Sequence, residues 1–163
     1  MAEVFVSKPN ALTSQQLTWY SLLRQKLGER GLNPRTLGET DFQNSPPMTA
    51  VIELMRLCDG ALILGLSQTF IKEGLHKPGT DNEVPMRESC LPSPWNHIEA
   101  AVAFALGRPT LIIRERGISG GVFDMGITDR FIHQADLNAD WLSSQQFLQP
   151  FNLWHEEILT QAH

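Results

Sequence analysis

The sequence contains little of several features that mark particular classes of protein. It has two cysteines, Cys58 and Cys90, in 163 residues, which are too few for a disulfide framework. Lysine and arginine number 13 against 18 aspartates and glutamates, giving a net charge of −5, so the chain has no electrostatic footprint for duplex nucleic acid or an anionic membrane. Its five histidines do not have the spacing of a metal-ligand cluster, and we expect no bound metal.

Long apolar runs are also missing. No stretch approaches the roughly 20 apolar residues that a membrane-spanning helix requires. The first residues lead directly into a strand-like run and lack a basic region followed by an apolar signal segment. We therefore expect a cytoplasmic protein without membrane contact. A length of 163 residues, of which 42% are hydrophobic and 19% charged, is typical of one globular domain, here residues 1–163.

Strand-like and helix-like segments alternate along the chain. The first helix is expected to begin near Thr13, because Thr13 and Gln16 have the spacing of a capping box. An uninterrupted apolar run at residues 61–64 is typical of a central parallel strand. The strand-like runs are residues 3–7, 32–37, 61–64, 110–113 and 130–133. This alternation predicts a doubly wound, three-layer α/β/α sandwich of the flavodoxin or Rossmann type, with a mostly parallel sheet of about five strands.

Three segments depart from this alternation. Residues 67–92 carry several glycines and prolines and are predicted to be a long irregular loop. Residues 117–126 are rich in glycine, and we expect a mobile hairpin whose backbone amides offer some capacity to bind phosphate. The C-terminal segment has apolar residues at helical spacing, and Pro150 is predicted to break this helix in two. These apolar residues are Phe147, Phe151, Trp154 and Ile158.

Residues 93–109 are the most informative stretch. Ser93 suits a helix N-cap and Pro94 the first turn that follows it, while Gly107 and Pro109 end the helix. Glu99 lies beside a predicted apolar stripe, where a charge is costly. The stripe comprises Ile98, Ala101, Val102, Ala105 and Leu106. An acid in this position is a candidate for function.

Connectivity places Glu99 at the edge of the sheet where ligands bind. Open parallel sheets bind ligands outside the carboxyl ends of their strands, at the point where the strand order reverses. The segments expected to reach that edge are residues 7–10, 38–44, 67–92 and 114–126. Ser7 and Ser67 each follow a strand, so we consider them ligand contacts, although a turn role fits either serine equally.

The same residues resemble two related families of small α/β domains. The spacing of Ser93, Trp95 and Glu99 resembles that of TIR domains. The run from Glu99 to Ala103, followed by Gly107-Arg108-Pro109, is similar to the nucleoside 2-deoxyribosyltransferases. In both families a glutamate acts on an N-glycosidic bond, so the resemblance implies that Glu99 is a catalytic carboxylate. The SLOG-like nucleotide-sensing domains share the general architecture, and they bind nucleotides without cleaving them.

The remaining candidates have two interpretations each. Trp95 either stacks on a base or nicotinamide or anchors the helix in the core. Asn96 either hydrogen-bonds ribose hydroxyls or helps to cap the helix. Ser93 combines its capping role with a candidate substrate contact. Asp124 and Asp129 are the candidate partners for Glu99 if the chemistry needs a second carboxylate, and Asp124 is also a candidate substrate contact.

Three functions follow from these residues. The first is an N-glycosidic bond hydrolase or transferase without a cofactor, acting on a nucleoside or on NAD as a substrate. The second is a non-catalytic sensor of a nucleotide or cyclic nucleotide, in a bacterial signalling or defence complex. The third is a subunit whose tryptophan-containing C-terminal segment packs on a partner. We expect a small-molecule nucleotide or nucleoside ligand, and assembly as a homo-oligomer or with a partner protein.

Overall fold

The computed structural model describes residues 1–161, which form a parallel sheet with helices on both faces and a separate hairpin. The strands are β1 (Ala2–Ser7), β2 (Leu32–Arg35), β3 (Gly60–Gly65), β4 (Thr69–His76), β5 (Val84–Leu91), β6 (Thr110–Glu115) and β7 (Ile132–Ala135). The helices are α1 (Ser14–Glu29), α2 (Pro47–Arg56), α3 (Pro94–Ala105), α4 (Ala139–Ser143) and α5 (Gln145–Gln161). The five-stranded sheet has the order β2-β1-β3-β6-β7, and every adjacent pair is parallel. The predicted three-layer α/β/α fold is confirmed.

Each face of the sheet has its own hydrophobic core. Helices α1, α4 and α5 cover one face, where Trp19, Trp141 and Trp154 are buried. Helices α2 and α3 cover the other, around Phe5 and Ile63. All six residues of β3 are buried, as its uninterrupted apolar sequence predicts for a central strand. No helix within residues 1–161 has both the length and the apolar character needed to cross a membrane.

The predicted start of α1 is confirmed by its hydrogen bonds. The Gln16 backbone amide donates to Thr13 Oγ1 over 3.2 Å, and the Thr13 amide donates to Gln16 Oε1 over 3.0 Å. Two amides that lack helical partners are therefore satisfied reciprocally, which is the capping box. The local sequence alone fixes this helix end.

The predicted ends of α3 are correct, but its predicted buried face is wrong. Ser93 Oγ accepts the Trp95 amide, as expected of an N-cap. The residues that α3 buries are Asn96, Ala100 and Ala103, whereas Ile98 retains 37% of its exposure. Alanines allow the helix to approach the sheet closely, so the larger apolar residues lie to the sides. Apolar spacing therefore indicated the wrong stripe.

The segment predicted to be an irregular loop forms a regular β-hairpin. Strands β4 and β5 pair antiparallel from Thr69↔Leu91 to His76↔Val84. Most of their side chains are exposed on both faces, so the sequence has no alternation of apolar and polar residues to mark them.

Strand β7 begins at Ile132, two residues after the start predicted from the sequence, which placed this strand at residues 130–133.

Helix α5 continues through Pro150, contrary to the predicted break. The interruption lies instead at Ser144, an extended residue between α4 and α5. A proline inside a helix costs about 3 kcal/mol. Burial of a large apolar side chain contributes about 1.5–3 kcal/mol, and α5 buries four. These are Phe147, Phe151, Trp154 and Ile158. Packing therefore outweighs the lost hydrogen bond.

The glycine-rich segment contains a short 3₁₀ turn, Gly121–Phe123, which seats Phe123 against the central strand. Phe123 is fully buried. A methyl group added at Gly65 would lie 2.5 Å from its ring, so β3 requires glycine at this position. By contrast, a methyl group added at Gly28 on α1 would meet no heavy atom within 4 Å.

These two glycines give opposite predictions for stability. We expect Gly65→Ala to lower the free energy of unfolding by about 1–3 kcal/mol through overpacking. We expect Gly28→Ala to raise it by about 0.5–1 kcal/mol, because alanine restricts the unfolded chain and favours the helix. Urea unfolding of both variants measures the two changes. A stabilising Gly65→Ala would contradict the close contact with Phe123.

Candidate functional site

A cavity of about 390 Å³ lies at the carboxyl ends of β1 and β2, below the amino ends of α2 and α3. This is the edge where the strand order reverses, since β2 lies on one side of β1 and β3 on the other. The cavity is lined by Val6, Lys8, Pro9, Asn10, Thr36, Leu37, Gly38, Asp41, Phe42, Gln43, Ser45, Pro47, Ala50, Val51, Ser93, Trp95 and Glu99. Its volume lies within the usual range for small-molecule sites, about 300–1,000 Å³.

Glu99 is the ionisable group in the cavity wall with the most unusual environment. Burial disfavours its charged form, and this desolvation raises the pKa of its carboxyl to about 7. The polar hydroxyl of Ser7 partly offsets this increase in the pKa, because it favours the carboxylate. Glu99 therefore exchanges its proton near neutral pH, as groups with catalytic roles often do.

A buried polar pair lies behind Glu99. The Asn96 side-chain amide donates to Ser7 Oγ over 2.7 Å, and both residues are 1% exposed. Ser7 is the last residue of β1, and Asn96 lies one turn before Glu99 on α3. This hydrogen bond joins the end of β1 to the first turn of α3, the helix that carries Glu99.

The other charged groups in the wall are held in ion pairs. Lys8 Nζ lies 2.8 Å from Glu39 Oε2, and the lysine side chain is only 5% exposed. Asp41 accepts hydrogen bonds from Arg35 Nε and Nη2, and the guanidinium lowers the pKa of the aspartate. Glu99 is therefore the cavity acid without a cationic partner among residues 1–161.

Two exposed aromatic side chains line the cavity. Trp95 is 41% exposed and Phe42 is 80% exposed, although burial of each ring would be favourable. Exposed aromatic rings at the wall of a cavity are suited to binding a planar ligand. This exposure contradicts one of the two roles predicted for Trp95, namely that its ring anchors the helix in the core.

The predicted site residues fall into three groups. Ser93, Trp95 and Glu99 line the cavity, and Ser7 and Asn96 lie behind it. Ser67 is engaged elsewhere: its amide donates to Glu115 Oε2 over 2.8 Å, and its carbonyl accepts Gln16 Nε2. Asp124 accepts the Gly120 amide over 2.8 Å and so closes its own turn. Neither Ser67 nor Asp124 belongs to the cavity lining.

Of the four segments expected at this edge, residues 7–10 and 38–44 contribute to the cavity, whereas residues 67–92 and 114–126 contribute no lining residue. The sequence analysis also missed several side chains within the two contributing segments. Lys8, Asp41 and Phe42 were not singled out. Phe42 carried a recognisable signal, because it is a lone aromatic residue in a polar loop after an edge strand. Lys8 and Asp41 carried none, since their ion pairs form only in the fold. Within residues 1–161 no cluster of three or more potential metal ligands is present.

Together, these observations define a doubly wound α/β domain with a cavity of small-molecule size at its strand-order reversal. A solved structure of the same fold is that of the Clostridium botulinum CMP N-glycosidase BcmB. It matches with a TM-score of 0.52 and 17% sequence identity, over 93% of this chain and 98% of that one. No protein-family model and no curated protein match the sequence.

Proposed function

We propose that this protein hydrolyses or transfers at the N-glycosidic bond of a nucleoside or nucleotide, with Glu99 as its catalytic carboxylate. The observation that carries the proposal is the position of Glu99, a half-buried acid without a cationic partner among residues 1–161, in the wall of a nucleoside-sized cavity. Desolvation there raises the pKa of its carboxyl to about 7. The shared fold with a CMP N-glycosidase supports the same class of bond. NAD also contains such a bond and belongs to the same set of substrates.

The proposed reaction uses Glu99 to stabilise positive charge. As the bond between the anomeric carbon and the base breaks, its electron pair leaves with the base, and the sugar becomes cationic. A carboxylate about 3 Å away can stabilise this cation or trap it covalently, as in glycoside hydrolases. The oxygen of water bonds to the anomeric carbon and loses one proton. In a nucleoside the departing base takes up a proton in its place, whereas in NAD the nicotinamide departs neutral and the proton is released. In transfer, a nitrogen of a second base takes the place of water.

Residues around Glu99 supply the rest of the proposed site. Ser93 Oγ accepts the Trp95 amide, so its hydroxyl proton is free to donate to a sugar oxygen. Trp95 and Phe42 provide aromatic surface for the base. Ser67 and Asp124 are not included in the proposal, because their hydrogen bonds lie outside the cavity.

Mass spectrometry of the products tests this proposal directly. Concentrated protein is incubated with ribonucleosides, deoxyribonucleosides, their 5′-monophosphates and NAD, since assembly into an oligomer is expected from the sequence. Release of free base, or its exchange for an added base, supports the proposal. A nucleotide that raises the melting temperature without any base release would overturn it in favour of the sensor.

The aromatic residues give a prediction about binding. Removing the stacking surface for one base costs about 1–3 kcal/mol, so we expect Trp95→Ala and Phe42→Ala each to raise KM by about 5- to 150-fold. kcat should change little, because stacking acts equally on substrate and transition state. Phe131→Ala is the matched control, since Phe131 is 64% exposed and does not line the cavity. An equal effect of all three variants would contradict the base-binding role.

A further inference from the structure

We propose that the charged groups of the cavity wall select against anionic substrates, so that the site takes nucleosides and rejects molecules that carry a 5′-phosphate. The inference rests on the proposed function and narrows its substrates, excluding nucleotides and NAD. Two lining residues determine this specificity. Asp41 presents negative charge to the cavity, and Lys8 has its positive charge committed to another residue.

The positively charged residue of the wall is Lys8, and its ammonium is already occupied. Nζ lies 2.8 Å from Glu39 Oε2 and donates to the Pro9 carbonyl over 3.4 Å. The same atom lies 5.1 Å from the centre of the Tyr20 ring, and the lysine side chain is only 5% exposed. Arg24 pairs with the same glutamate but does not line the cavity. A phosphate would have to displace Glu39 to reach this ammonium.

Two acids, Asp41 and Glu99, line the same cavity. Asp41 is ionised at neutral pH, because the guanidinium of Arg35 lowers the pKa of its carboxyl. Arg35 donates to Asp41 Oδ2 over 2.8 Å and to Glu3 Oε2 over 3.0 Å. One guanidinium thus serves two carboxylates, and the cluster is negative overall. A phosphate bound beside Asp41 would meet a like charge, which opposes binding.

The two helices that begin beside the cavity are poorly equipped to bind a phosphate. Helix amino ends bind phosphates through backbone amides that have no partner in the helix. Helix α2 begins with Pro47 and α3 with Pro94, and proline has no N–H to donate. In α3 the next amide, that of Trp95, already donates to Ser93 Oγ. Both helix ends therefore have fewer donors for an anion than an ordinary helix start.

The other polar residues of the wall are uncharged and suit a nucleoside. Hydroxyl and amide side chains can exchange hydrogen bonds with the hydroxyls of a sugar and with the edge of a base. The residues of this kind in the lining are Asn10, Thr36, Gln43, Ser45 and Ser93. The wall thus offers neutral partners to a neutral ligand and negative charge to an anionic one.

Paired substrates test this specificity. The value of kcat/KM is measured for the common ribonucleosides and deoxyribonucleosides, each against its own 5′-monophosphate. We expect the nucleoside to be preferred by about 10- to 100-fold, because like charges in a binding site oppose each other even when water screens them in part. Added salt should reduce this preference, since it screens the repulsion. Where no base is released, Kd from calorimetry on the same pairs gives the preference.

Asp41→Asn should reduce the preference at least about 5-fold by improving binding of the monophosphate, because it removes the repelling charge and frees Arg35. Asp136→Asn is the matched control, since Asp136 is also paired with an arginine, Arg116, but does not line the cavity. It should leave the preference unchanged. Should Asp41→Asn fail to fold, Glu39→Gln is the second variant. It frees the ammonium of Lys8 and should shift the preference in the same direction.

The outcomes separate this inference from the proposed function. Release of base from monophosphates at least as fast as from nucleosides would overturn the inference and leave the proposed function standing. A preference unchanged in both Asp41→Asn and Glu39→Gln would also overturn it. Nucleosides that bind more tightly than their monophosphates, without any base release, would support the inference and reject the proposed function. Absence of binding by both members of every pair would overturn both.

Discussion

Glu99→Gln is expected to reduce base release about 1,000-fold, because removal of one group that stabilises transition-state charge has an effect of this order. Glutamine keeps the size of the side chain and can still accept a hydrogen bond. It lacks the negative charge that a developing sugar cation requires. The rate of base release under saturating substrate, measured by mass spectrometry, gives the loss in kcat.

Two further variants show whether position matters as well as charge. Glu99→Asp retains a carboxylate, but its side chain is shorter by one methylene. Because a misplacement of about 1 Å can lower a reaction rate about 100-fold, we expect this variant to release base more slowly than wild type. Glu156→Gln removes an exposed acid of α5, on the opposite face of the sheet, and should leave the rate unchanged. If Glu99→Gln kept more than a tenth of the wild-type rate, another group would have to stabilise the cation.

The topology was predictable because its signals are local. The capping box of α1 involves residues three apart, and the caps of α3 lie within its own flanking residues. Strand β3 is marked by its own continuous apolar sequence. Each of these signals arises from atoms close together in the chain, so the order of elements and the parallel sheet follow from reading the residues in turn.

The features that were missed depend on partners far away in the sequence. The β4–β5 hairpin is stabilised by backbone pairing that its exposed side chains do not reveal. The buried face of α3 is set by how closely the helix approaches the sheet, rather than by its largest apolar residues. Within the site, Glu99 could be placed from connectivity. The buried hydrogen bond between Asn96 and Ser7 could not be predicted, because the two residues are 89 positions apart in the sequence.

The same substitution, Glu99→Gln, is expected to stabilise the protein at alkaline pH. The pKa of this carboxyl is raised from 4.5 to about 7 in the folded state, so folding favours its protonated form. Its full contribution to stability is present below pH 4.5 and is lost as the pH rises through about 7. A shift of this size corresponds to at most about 3 kcal/mol, because water in the cavity screens the charge in part. Glutamine carries no charge, so its burial does not lower the stability of the protein as the pH rises.

We therefore expect Glu99→Gln to unfold at the same urea concentration as wild type at pH 4, and to be up to about 3 kcal/mol more stable at pH 8. For a chain of this length the gain corresponds to about 6–12 °C in melting temperature. Glu156→Gln should match wild type at both pH values, because its side chain is exposed. An equal effect of Glu99→Gln at pH 4 and pH 8 would show that Glu99 is not desolvated. Suppose that Glu99→Gln gains stability only at alkaline pH and also loses base release. The Glu99 carboxylate would then lower the stability of the fold while supporting the reaction, as expected of a catalytic group.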